Sequence, residues 1–162
     1  MRTIKFRGKK VTNGVWAYGS LVYLDEKGAA IYVQTGNGSA MVMDLVYVDP
    51  DTVGQFTGFL DKNGKEIYEG DVLRSDEYPY SCIGDNRRDN YYAVVYYCEE
   101  GACFGTVTAK NPSSDVGGIS DGILDDVERE KMQDFEVIGN VHDLEWKQYR
   151  EYIQEEDEEQ HP

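Results

Sequence analysis

Apolar and polar residues alternate from the first residues of the chain. Ile4 and Phe6 are interleaved with Lys5 and Arg7, the pattern of a strand with one wet face. VWAYGSLVY, Val15 to Tyr23, is its expected return partner across Asn13-Gly14. AIYVQT and MVMDLVYVD are expected to pair across Asn37-Gly38, and Asp49-Pro50 ends the second of them. A third Asn-Gly, Asn63-Gly64, separates QFTGFL from EIY. Asn-Gly is the strongest short hairpin signal, because both residues tolerate the positive φ of a type I′ turn. The first seventy residues therefore read as a meander of hairpins.

Beyond Tyr68 the pattern changes. Glu69-Gly70-Asp71 is a turn that delivers a strand at Val72 and Leu73. SDEYPYSCIGDNRRDN reads as a long loop, then NYYAVVYYC and ACFGTVTA as two strands around Glu99-Glu100-Gly101. NPSSDVGGISDG is a second loop, and ILDDVEREKMQ, with an incomplete apolar stripe, a short helix. FEVIGNVHD is a last strand, and LEWKQYREYIQEEDEE an amphipathic helix fading into an acidic tail. The expected fold is mainly β with some α. A hairpin-rich N-terminal β layer (residues 1–66) joins a small SH3-like β-barrel (67–143), followed by a helix and tail (144–162).

Charge alters this picture in one place. The 162 residues carry a formal net charge of −15, which keeps the chain soluble and repels phosphates over most of its surface. The first ten residues are the exception: Arg2, Lys5, Arg7, Lys9 and Lys10 meet no acid. A row of bases on one strand face can follow a phosphate backbone, or pair with acids of the body or of another subunit. No apolar run is long enough to span a membrane, and MRTIKFRGKK lacks a secretory apolar core, so the expected location is cytoplasmic.

Chemical motifs are sparse. Gly58 to Gly64-Lys65 is one residue too long for a phosphate loop and ends in Glu66 instead of a hydroxyl. Asp61-x-Asn63 opens like a calcium loop, but Lys65 and Glu66 stand where an oxygen ligand and a glycine are required. The histidines, His142 and His161, make no zinc cluster with three cysteines, and no cofactor or metal is expected. Cys98 and Cys103 face each other across a hairpin and are placed to bridge if oxidised, although free thiols fit a cytosolic protein better. Carboxylates such as Glu66, Glu69 and Asp71 are the remaining actors for an enzyme, an expectation ranked last.

IKFRGK, WAYGSLVY, TVGQFTGFLDKNGKEIYEGDVL and FEVIGNVHD together resemble the YopX family of phage and prophage proteins, over roughly Arg2 to Asp143. The resemblance implies a two-part β-rich fold with an SH3-like C-terminal portion and a tendency to self-associate, and no catalytic residues. The family motif is made of glycines, aromatics and turn residues, which agrees with the structural turn residues read in this chain: Asn13, Gly14, Asn37, Gly38, Gly54, Gly58, Asn63, Gly64, Gly70, Asp71 and Gly139. The expected function is a non-enzymatic module that binds a protein partner, alone or within a homo-oligomer, and no membrane. Tyr91, Tyr92, Tyr96, Tyr97 and Phe104 are candidates for its surface, half of them on either strand face. The alternatives are nucleic-acid binding through the basic strand and an acidic mimic of DNA.

Overall fold

The computed structural model describes residues 3–25, 28–35, 42–76, 91–108, 120–123 and 134–149. Among the described residues eleven strands form two antiparallel sheets, and the chain divides into two compact units, residues 1–58 and 59–162. The expected long loop, the helix after Ile123, the second Asn-Gly turn and most of the C-terminal helix lie outside the described residues.

The first sheet has the order β4-β3-β2-β1-β5-β6. Its strands are β1 (Phe6–Lys9), β2 (Trp16–Asp25), β3 (Gly28–Thr35), β4 (Val42–Val48), β5 (Gly54–Leu60) and β6 (Glu66–Tyr68). The division between the units falls inside β5, after Gly58. The meander read from the sequence is present: β1 pairs β2 and β3 pairs β4, each antiparallel.

Within the N-terminal unit the sheet curls until β4 meets β1. A bridge joins Lys10 to Val48, Asp49 N–H donates to Lys9 C=O at 2.8 Å and Val11 N–H to Tyr47 C=O at 3.2 Å. The concave side holds the core of Ala17, Ala29, Ile31 and Val48, with Phe6, Leu21, Val33, Val46 and Val53 packed against it. Small residues permit this curvature: a Cβ on Gly8 would lie 2.8 Å from Val48 Cγ2, and one on Gly19 would overlap the Tyr32 carbonyl oxygen. A 3-10 helix, Pro50–Thr52, follows the Asp49-Pro50 break. Its Thr52 Oγ1 accepts from Lys9 N–H at 2.8 Å and ties it to β1.

The second sheet has the order β10-β9-β8-β7-β11, from β7 (Asp71–Ser75), β8 (Tyr91–Cys98), β9 (Cys103–Thr108), β10 (Ser120–Ile123) and β11 (Glu136–Asn140). Among the described residues it does not close into a barrel. Strand β10 falls in a segment that reads as a loop, because Ser-Asp-Gly has little strand preference; pairing with β9 supplies it instead. Both faces are covered, which is why YYAVVYYC is nearly continuously apolar. Ile67, Leu73, Tyr91, Ala93, Val95, Phe104, Phe135 and Val137 pack on one side. Val72, Val94 and Val141 pack on the other with Tyr92, Ile138 and Trp146. Trp146 comes from a 3-10 helix, Leu144–Tyr149, which occupies the described start of the expected amphipathic helix. Its indole lies where a side chain on Gly139 would be.

The turns depart from type I′. Gly14 and Gly64 are left-handed, with φ of 69° and 78°, but no asparagine among the described residues has positive φ. At Asp61 to Gly64, the Gly64 N–H donates to Asp61 C=O at 2.9 Å, and Asp61 N–H to Lys65 C=O at 2.8 Å. This is a type I turn completed by a left-handed glycine, a three-residue hairpin loop. Side-chain acceptors favour it, because Asp61 and Asn13 each accept from a backbone N–H two residues on.

The β8–β9 hairpin uses Ala102 at φ 49°, a conformation unfavourable for any residue with a Cβ. Ala102→Gly is therefore expected to raise stability by about 0.5 kcal/mol, strain relief outweighing glycine's extra unfolded-state entropy. A urea titration checks this, and an unchanged or lower midpoint would mean the hairpin holds no strain there.

Candidate functional site: a cationic and aromatic sheet face

The long central motif resolves into architecture. Asp61 is buried, 6% exposed, and its carboxylate accepts from three backbone donors. Oδ1 takes Asn63 N–H and Lys65 N–H at 2.8 Å each, closing the turn. Oδ2 takes Val137 N–H at 3.1 Å and so fixes β11 against the turn, 76 residues away in sequence. Lys62 N–H donates to Phe135 C=O at 2.8 Å, and Lys62 pairs with Glu136 at its surface.

Asp71 has a similar role at the next turn. It is 1% exposed, accepts from Tyr68 N–H at 2.8 Å and, more weakly, from Asn140 Nδ2 at 3.4 Å. Gly70 between them is left-handed, φ 76°, and donates to Val95 C=O while its own carbonyl accepts from Val141 N–H. Of the carboxylates considered for catalysis, Glu66 accepts from the Tyr68 hydroxyl at 2.7 Å and Asp71 is committed to backbone and amide donors. His142, half-buried, donates its backbone N–H to Asn140 Oδ1. Among the described residues no group of three His, Cys, Asp or Glu side chains converges to hold a metal ion.

The tyrosines of β8 have little surface to offer. Tyr91 and Phe104 are core residues, and Tyr92 packs against the second cluster. Tyr96 lies across its cross-strand partner Gly105, where a Cβ would be 2.8 Å from the ring. Tyr97 is exposed and meets Phe104 edge to face, centroids 5.3 Å apart. Cys98 and Cys103 are directly opposed partners at the end of this hairpin, both half-buried and neither in a disulfide.

The N-terminal unit presents a different surface on its convex side. Paired residues share a face, so the register places Arg7 beside Tyr18 and Lys9 beside Trp16. Their cations lie on the rings: Arg7 Cζ is 4.5 Å from the Trp16 centroid, Lys9 Nζ 5.2 Å from the same ring and Lys5 Nζ 5.7 Å from Tyr18. Arg7 is itself buried, 4% exposed, with its guanidinium against the Trp16 ring; Lys5, Lys9 and Lys10 are half-buried. Arg2 lies outside the described residues.

The same face continues across β3 and β4. Ser20, Tyr32 and Leu45 form one row, and Val22, Ala30 and Tyr47 the next. Tyr18, Tyr32 and Tyr47 thus fall on a diagonal, one strand and one row apart at each step, with exposures of 42%, 38% and 58%. Successive rings are rooted about 7–8 Å apart, the diagonal spacing of an antiparallel sheet. Met43 and Leu45, also exposed, flank the diagonal on β4. Asp44 points to the opposite face, opposite Val33.

The two sheets define a two-unit, mainly antiparallel β protein. The YopX protein family model matches residues 5–144, and the chain belongs to that family. Among curated proteins none matches. Among solved structures the chain is similar to the crystal structure of protein EF1440 from Enterococcus faecalis. The two share 18% identity over 88% of this chain and 95% of that one, with a TM-score of 0.48. No helix among the described residues is long and apolar enough to cross a membrane.

Proposed function

We propose that this protein is a non-enzymatic binding module of phage or prophage origin, acting in the cytoplasm, and that the convex face of its N-terminal unit is the binding surface. The observation behind this reading is the exposed diagonal of Tyr18, Tyr32 and Tyr47 beside Lys5 and Lys9. Tyrosine and methionine are enriched where surfaces recognise macromolecules, and tyrosine offers large contact area at small entropic cost. Support for a non-enzymatic role comes from Asp61 and Asp71, whose oxygens are engaged by the fold's own donors.

The order β11-β7-β8-β9-β10 supports an SH3-like reading of the second unit: four strands follow one another as neighbours and the last returns beside the first. Such a unit acts as a scaffold in this proposal, because its candidate aromatics are largely packed inside. A protein partner is one occupant of the convex face. A polyanion is the second, and the cation–aromatic pairs along β1 and β2 favour it locally although the overall charge is −15.

The test is capture of tagged protein from a prophage-carrying host, with co-purifying protein and nucleic acid both identified. The doubly substituted Tyr32→Ala, Tyr47→Ala protein is expected to lose its partner, while Tyr97→Ala on the second unit keeps it. A captured set unchanged by the convex-face substitutions would sink the proposal. Light scattering on the purified protein decides whether the partner is a second copy.

A further inference from the structure

We infer that Cys98 and Cys103 form a redox modification site, a dithiol that a small-molecule disulfide converts reversibly into a bridge across the β8–β9 hairpin. The site lies on the second unit and is independent of the convex face.

Register brings the two residues together. Cys98 and Cys103 are directly opposed, the last pair before the loop Glu99 to Ala102. Opposed residues of an antiparallel pair have Cα atoms about 4.5 or 5.5 Å apart, inside the window of about 4.4–6.8 Å that a disulfide spans. They also share a face, so both thiols stand on one side of the hairpin. Closing the bridge requires only a slight approach of the two Cβ atoms.

The loop shows where the sulfurs point. A Cβ on Gly101 would lie 2.9 Å from Cys103 Sγ and 3.6 Å from Cys98 Sγ, so both thiols converge on the space that glycine leaves open. Turn geometry does not ask for that glycine: Gly101 has no positive φ, whereas its neighbour Ala102 does, at 49°. A loop shaped for its backbone alone would carry glycine at position 102. The chain carries it one residue earlier, where the missing side chain makes room for two sulfurs.

Both cysteines are half-buried, and the loop residues Glu99 to Ala102 are exposed, so a small disulfide reaches the sulfurs from the loop end. Exchange with oxidised glutathione takes two steps. One cysteine thiolate attacks a glutathione sulfur; a protein–glutathione disulfide forms, and the departing glutathione thiolate takes up the proton the cysteine released. The second cysteine thiolate attacks the protein-side sulfur in the same way, the bridge forms and the second glutathione leaves. Two protein thiols are oxidised and one small disulfide is reduced to two thiols. The second step is intramolecular and its attacking sulfur is already placed. In a reducing cytoplasm the dithiol is the resting form, and the bridge appears when small disulfides accumulate.

The third cysteine, Cys82, lies outside the described residues, and Cys82→Ser removes it from the test. Full-length Cys82→Ser protein is incubated in glutathione buffers of rising oxidised fraction, quenched with acid, and read by intact mass and peptide mapping. The expected product has lost two hydrogens, links Cys98 to Cys103 within one chain, and returns to the dithiol with dithiothreitol. Cys98→Ser and Cys103→Ser should each stop at a stable glutathione adduct. Gly101→Ala should slow bridging roughly ten-fold, because its methyl group displaces the Cys103 sulfur from the shared space.

A persistent glutathione adduct on the Cys82→Ser protein, a disulfide between two chains, or no oxidation by glutathione disulfide alone would each overturn the inference. Bridging of Gly101→Ala at the parent's rate would overturn it too. Thermal melts of each variant separate a misplaced thiol from a misfolded hairpin.

Discussion

Asp61→Ala is expected to lower the stability of the C-terminal unit by about 4 kcal/mol, because three N–H groups lose a charged acceptor at once. Asn63 and Lys65 N–H lie where water can partly replace the carboxylate, but Val137 N–H is in a buried bond and becomes an unsatisfied donor. Asp61→Asn provides the internal control. It keeps one oxygen for the turn and sets an amide N–H₂ against Val137 N–H, so it should fall between wild type and Ala. The two tryptophans lie one in each unit, Trp16 on β2 and Trp146 beside β11. With Trp16→Phe as background, urea unfolding followed by fluorescence reports Trp146 alone. If both Asp61 variants unfolded within about 0.5 kcal/mol of the parent, the range of an ordinary surface change, the carboxylate would not be organising the motif.

Gly19→Ala should be the most damaging small substitution in the N-terminal unit, at about 3 kcal/mol. Its methyl group would occupy the position of the Tyr32 carbonyl oxygen, and Ile31 Cγ2 would be 3.1 Å away. A carbonyl in a strand ladder cannot swing aside like a side-chain end, so β2 and β3 would have to separate or slip. Gly14→Ala is the contrasting case: nothing lies near its Cβ, and it loses only the φ of 69°, about 1 kcal/mol. Trp16 fluorescence in a Trp146→Phe background follows both. Equal, small costs would show that the sheet is less tightly curled than the close approach at Gly19 implies. Because Tyr18 and Tyr32 flank this crossing, Gly19→Ala should also weaken whatever the convex face binds.

Much of the fold is legible because its signals are local. Alternation at Ile4–Arg7, Asn-Gly between apolar runs, Asp-Pro after Val48 and the continuous apolar run at Tyr91–Cys98 each reflect a constraint acting over a few residues. Turn residues also stand in the segments that resemble the YopX family, and the structure gives them a structural task through Asp61, Gly64, Gly70 and Asp71. The type of turn is less legible, since Asn-Gly suits two geometries and the choice depends on the acceptor carboxylate of Asp61.

The candidate site is half visible in the sequence. The basic residues stand out, but that Arg7 is buried with its guanidinium against Trp16 is seen only in the fold. Glycine in a strand reads as weakness, so nothing in Gly8 or Gly19 announces that the sheet curls until β4 reaches β1. The tyrosines invite a similar error. Those of β8 are the densest cluster, and both faces of their sheet are covered. Tyr18, Tyr32 and Tyr47, scattered through three strands, come together only when two separate pairings are known.

The convex face is tested most directly by placing a photo-crosslinking p-benzoylphenylalanine at position 32 of the full-length chain in a prophage-carrying host, with position 97 as the comparison. A defined adduct, protein or nucleic acid, formed from position 32 and absent from position 97 is the predicted result. An adduct formed from position 97 alone would contradict the account and move the binding surface to the second unit.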